Sequence, residues 1–151
     1  MSRKYMFKFR LSKILRLRTH QEKLCLEQVA ISLNKLQSVQ QKKVKLNQII
    51  IEKEKEYLYS MEKIVSIERI LFYKNYLDLQ AQKLLQLEME IEKCKKELAT
   101  AQTKLRMAMK ERKILTKLRE KQAGRFRQLE NKKEQILLDE LAISFSKGQR
   151  D

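Results

Sequence analysis

No proline interrupts the 151 residues of this chain, and glycine occurs only at Gly124 and Gly148. Sheets and loop-rich folds need both residues at their turns, whereas a helix interior is weakened by either, so helix is the class that fits. Charged residues make up 36% of the chain, against roughly 25% in ordinary globular domains. A chain this polar has one apolar stripe and a large wetted surface. The expected fold is all-α, and a coiled coil is its natural solution.

The second half shows the heptads directly. Leu77, Leu84, Ile91, Leu98 and Leu105 recur every seven residues, and Leu87, Cys94, Ala101, Ala108 and Leu115 follow in the second row. This is a left-handed coiled-coil pattern, and Ala101 and Ala108 allow a neighbouring helix to approach closely. The first half is looser. Leu15, Val29, Leu36 and Ile50 form one row, with Leu26 and Leu33 in the other, and Glu22, Gln40, Lys43 and Asn47 interrupt them. Polar seam residues cost stability but restrict register and partner choice.

Between the halves, in YSMEKIVSIERILFY, apolar residues fall on every face, and Ser60 and Ser66 offer capping side chains. The pattern predicts a single coiled-coil domain over 1–151: helix one over about 8–60, a bend at about 61–67 and helix two over about 68–145, folded as a long antiparallel hairpin. The alternative is one unbroken rod that pairs with another chain. With a bend near residue 64, facing residues have numbers that sum to about 128. Cys25 then faces Thr103, and Cys94 faces Asn34. The thiols sit about nine residues apart along the axis, or ~13 Å. That is too far for a disulfide.

Several functions are disfavoured. The longest apolar runs, Ile49 to Ile51 and Ile70 to Tyr73, fall far short of the ~18 residues of a membrane span. Lys8, Arg10 and Lys13 interrupt any signal-peptide core, although an organelle presequence could share this basic amphipathic opening. The default location is cytoplasmic. Two isolated cysteines and the lone His20 supply no metal-ligand set, and there is no glycine-rich phosphate loop. No catalytic residue, metal or cofactor is expected.

The charge is segregated. Residues 1 to 21 hold seven Lys or Arg and no acid, and residues 104 to 133 hold twelve against Glu111, Glu120 and Glu130. The two segments carry the whole net +16, and a hairpin brings both to its open end. A solvated charged face is the plain reading of each lysine taken alone, but not of their segregation. Nucleic acid is one partner for such an end. Against it, the basic stretches do not fork from a parallel zipper, and Phe7, Phe9 and Phe126 look too isolated to stack bases. Residues 1 to 18, with Tyr5, Phe7 and Phe9 beside Lys and Arg, suit an acidic membrane surface. An acidic protein channel suits the last stretch, LREKQAGRFRQLENKKEQILLDELA, where Arg119 and Lys133 replace seam leucines.

The opening FRLSKILRLR, the YKNYLDLQ at the start of helix two, and LREKQ…F…LENKKEQ…LDELA resemble, in that order, the FliJ family of the flagellar type III export apparatus. Its virulence-secretion counterpart, YscO, is a more distant likeness. The resemblance covers nearly the whole chain. It implies a non-enzymatic protein folded like the central stalk of rotary ATPases, whose paired ends enter the pore of the hexameric export ATPase. It also implies contacts with the cytoplasmic domain of the export-gate membrane protein and with export chaperones, at the cytoplasmic side of the inner membrane. The ATPase-binding candidates are Leu11, Leu15, Arg18, Arg119, Arg125, Phe126, Arg127 and Lys133. The gate-binding candidates are Leu46, Ile50, Lys53, Tyr57, Tyr76, Gln80, Lys83 and Leu87. Family aromatic or aliphatic positions are Lys53, Gln80 and Lys83 here. Nucleic acid is not an expected partner. The rival readings are a nucleic-acid-binding coiled coil, or a stalk subunit of a virulence system or another rotary ATPase.

Overall fold

A computed structural model describes residues 6–63 and 66–149. The chain is all-α: α1 spans Ser12–Met61 and α2 spans Ile67–Gly148. Of the expected bend, residues 64 and 65 lie outside the described residues. At the N-terminus, Leu11 closes the first α-helical turn through Leu15 N–H, while the Ser12 N–H donates to the Phe9 carbonyl at 3.1 Å. Residues 6–9 therefore precede the helix. Ser66 starts α2: its carbonyl accepts from Arg69 and Ile70, and its hydroxyl oxygen takes a long 3.4 Å bond from Arg69 N–H. Ser60 is no cap, because its hydroxyl donates back to the Glu56 carbonyl inside α1.

Contacts group the chain into two compact units, Leu24–Arg106 and Met1–Lys23 with Met107–Asp151. In Leu24–Arg106 the helices run antiparallel. Lys35 pairs with Glu97 at 3.2 Å and Lys43 with Glu88 at 3.5 Å, while the Tyr57 and Tyr73 rings meet edge-on at 5.8 Å. The hydrogen bond to Glu97 holds the Lys35 pKa above its ordinary value. Leu36, Val39, Ile91 and Cys94 form the core, with Leu87 and Leu98 packed against it. The seam residues of α2 are those the heptad marks. Cys25 and Cys94 are free thiols.

Two details of the register depart from expectation. The charged pairs of this unit have numbers that sum to 131 or 132, not 128. Cys94 consequently packs on Leu36 and Val39 and not on Asn34. The second row of α1 is also displaced by one residue. Leu26 and Leu33 are 57% and 41% exposed, while Val39 is buried and Cys25, Ser32 and Leu46 are half-buried. The row of Val29, Leu36 and Ile50 can pair with either neighbour. Choosing Leu26 and Leu33 would also turn the Gln40 amide toward the seam, where an amide left without a partner costs ~1–3 kcal/mol.

In the other unit, Phe9 and Leu15 are buried. Arg18 Nη1 donates to Glu111 at 2.6 Å and to Gln21 at 3.1 Å, and Arg112 Nε donates to Glu22. Again the two strands of helix run antiparallel.

Candidate functional site

Charge separates the two units. Met1–Lys23 with Met107–Asp151 holds 20 Lys or Arg against 8 acids, or +12, whereas Leu24–Arg106 holds 15 against 11, or +4. The strongly basic unit therefore contains the electrostatic feature that the sequence suggested.

Phe7, Phe9 and Phe126 are not isolated. The Phe7 and Phe126 rings lie 5.7 Å apart, and Phe9 is 8% exposed. Their contact closes the apolar layer where α1 has not yet begun. Sequence spacing could not show it, because Phe7 lies outside any heptad row and meets its partner only through the register of α2. Leu15 is buried and Leu11 half-buried, so little of either side chain is left at the surface. Arg18 is engaged by Glu111.

The remaining basic candidates behave differently. Arg119, Arg125 and Arg127 are exposed, and among the described residues none has a carboxylate within 4.0 Å. Arg119 borders two open grooves, one shared with Arg16, His20 and Lys23 and the other with Phe7, Phe9 and Arg127. Among the described residues Lys133 reaches only its helix neighbour Glu130, at 3.9 Å with 75% of its side chain exposed. A guanidinium without an internal partner keeps its donors for an external acceptor.

Beyond Phe126 the apolar residues of α2 lose cover. Every residue from 131 to 149 is exposed, including Ile136, Leu137, Leu138, Leu141, Ile143 and Phe145 at 47–73%. Residues 134 to 149 carry Glu134, Asp139 and Glu140 against Lys147, so the bare segment is apolar and mildly acidic, not basic. The three free arginines thus stand just before an uncovered apolar helix.

The gate-binding candidates divide by burial. Gln80 is 7% exposed, and Leu46, Ile50 and Leu87 are half-buried on the helix–helix seam. Tyr57 packs on Tyr73, Tyr76 is half-buried, and Lys53 bonds Glu56 at 3.2 Å. Lys83 alone of these is exposed. Among the described residues there is no metal-binding group of His, Cys, Asp and Glu, and no helix is long and apolar enough to cross a membrane.

A paired-helix scaffold with one basic, incompletely covered unit defines a class of all-α proteins built on an antiparallel helix pair. A family profile described as Flagellar FliJ protein matches residues 7–150. The chain belongs to the flagellar FliJ protein family, a non-catalytic component of flagellar protein export. No curated protein and no solved structure matches significantly.

Proposed function

We propose that this chain acts as a stalk of the flagellar export machinery, with the free arginines and bare helix of its basic unit held inside the hexameric export ATPase. The observation that carries the reading is the juxtaposition of Arg119, Arg125 and Arg127, unpaired among the described residues, with the uncovered apolar face from Leu129 to Phe145. A channel that covers such a segment needs acidic groups for the arginines and apolar groups for the leucines. Any effect on ATP hydrolysis is exerted on the partner. In the same reading the region of Lys53, Tyr57, Tyr76 and Lys83 touches the export gate, and the chain hands export chaperones to the apparatus at the inner membrane.

Reversal of Arg119, Arg125 and Arg127 to Glu replaces attraction with repulsion at each contact, so it is expected to abolish ATPase capture in a pull-down at moderate salt. Helicity by circular dichroism should be unchanged, because all three side chains are exposed. The matching reversal of Lys53, Lys63 and Lys74 should spare ATPase capture. If the second variant loses the ATPase and the first keeps it, the polarity of the reading is wrong. A nucleic-acid partner would show itself by binding that weakens steeply with salt and does not need the ATPase.

A further inference from the structure

The row that α1 keeps out of its seam is an ordered surface of its own. Label the inward rows a (Val29, Leu36, Lys43, Ile50) and d (Cys25, Ser32, Val39, Leu46). The outer positions e and b are then Leu26, Ala30, Leu33, Gln37, Gln40, Val44, Asn47 and Ile51. None of these eight is charged, in a chain that is 36% charged. Seven are exposed, with Leu26 at 57%, Val44 at 55% and Ile51 at 50%, and Asn47 is half-buried. They recur at alternating three- and four-residue steps, the spacing of a coiled-coil seam. The helix is two-faced: α2 covers one face, and nothing among the described residues covers the other.

The order of residues on this face reads nearly the same from either end. Of the pairs whose numbers sum to 77, three match in kind, Gln37 with Gln40, Leu33 with Val44 and Leu26 with Ile51, while the small Ala30 falls opposite Asn47. One step further along the continuous helix, Lys23 at a b position matches Glu54 at an e position, and these two are opposite in charge. A two-fold axis places residue i of one copy against residue j of the other and j against i. Two antiparallel α1 helices crossing between Gln37 and Gln40 therefore meet amide to amide at the centre and aliphatic to aliphatic at Leu33–Val44 and Leu26–Ile51 on both sides, with Ala30 against Asn47 between them. A Lys23–Glu54 ion pair brackets each end. A parallel pairing would instead set Lys23 on Lys23 and Glu54 on Glu54.

We infer that the e/b face of α1, Leu26 to Ile51, is a self-association surface whose occupant is a second copy of this chain, packed antiparallel about a two-fold axis. Net charge argues for the same place. Copies of a +16 chain repel, and this face brings no like charges together. The antiparallel direction places the brackets so that attraction opposes that repulsion. The inference does not rest on the export reading.

The test is sedimentation of the full-length chain against concentration. The wild type is expected to pass from a mass of 18.2 kDa to twice that value as concentration rises. Leu33→Glu with Val44→Glu puts four carboxylates in the centre of the dimer and should leave a monomer at every concentration. Helicity is retained, since both positions are exposed. Lys23→Glu alone and Glu54→Lys alone should each raise the dimer Kd about tenfold, because two symmetric contacts turn repulsive. The double exchange, Lys23→Glu with Glu54→Lys, should restore it. A wild type that stays monomeric up to about millimolar concentration overturns the proposal, as does a dimer that survives Leu33→Glu with Val44→Glu. Failure of the double exchange to rescue overturns the antiparallel register.

Discussion

The stretch of α2 from Leu87 to Ala101 and the stretch from Leu129 to Phe145 are the same kind of sequence with opposite fates. Both repeat aliphatic residues at helical spacing. In the first, Ile91 is 7% and Cys94 1% exposed against Leu36 and Val39. In the second, Leu129, Ile136 and Ile143 are each 58% exposed. Local sequence makes both helical, but among the described residues only the first has a partner helix to remove its apolar surface from water. Helix propensity and burial are separable contributions, and these two stretches separate them.

The difference is tested most strongly by truncation. Ile91→Ala should destabilise the chain by ~2–5 kcal/mol, because the space it leaves between Leu36, Val39 and Cys94 cannot fully collapse. Leu137→Ala, at 54% exposure in the bare stretch, should change stability by less than about 0.5 kcal/mol. Urea or thermal denaturation followed by circular dichroism reads both. Similar losses for the two variants would show that the last turns of α2 are covered within the free protein, and the contrast would collapse.

A second break concerns polar residues within the seam. Glu22 and Arg112 occupy positions where leucine would be expected, and their side chains are only 21% and 27% exposed. Removing one partner leaves the other charge poorly solvated. Glu22→Ala should therefore cost ~1–2 kcal/mol, with much of that loss relieved by adding Arg112→Leu. If the double variant is no more stable than the single one, Arg112 is solvated well enough to need no partner.

How much of this was legible beforehand follows from the same physics. The α2 heptads were plain because Leu77, Leu84, Ile91 and Leu98 have no competing apolar row beside them. In α1 two rows compete, and the buried one includes Cys25 and Ser32 while the exposed one displays Leu26 and Leu33. Hydrophobicity alone favoured the wrong row, although that row also carries the amides of Gln40 and Asn47. The Phe7–Phe126 contact was illegible for a related reason. It joins residues far apart in sequence, and their numbers sum to 133, so a register displaced by five from the expected 128 is enough to hide it. For the basic unit, the segregation of charge was readable by counting. Which arginines are free was not, because Arg18 and Arg112 look like Arg119 until Glu111 and Glu22 arrive from the facing helix.

A smaller expected effect than those at Ile91 and Glu22 sits at the border between the covered and uncovered parts of α2. Gly124 lies inside the helix without a positive φ, and a Cβ built on it meets nothing within 4 Å. No turn or close approach requires glycine there. Its flexibility weakens the helix at a level where α1 has not yet begun, close to the Phe7–Phe126 contact, so intrinsic propensity has more influence here than at Ala101. Gly124→Ala should stabilise the isolated protein by up to ~1 kcal/mol, partly by restricting the unfolded chain. Ala101→Gly, in the covered stretch, should lose that amount and more, because Ala101 is 9% exposed and its methyl group fills the seam. Paired melting curves for the two variants measure how far propensity alone carries α2. A gain at residue 124 larger than the loss at residue 101 would mean that the seam contributes less than propensity, and the contrast between covered and uncovered helix would then rest on backbone preference.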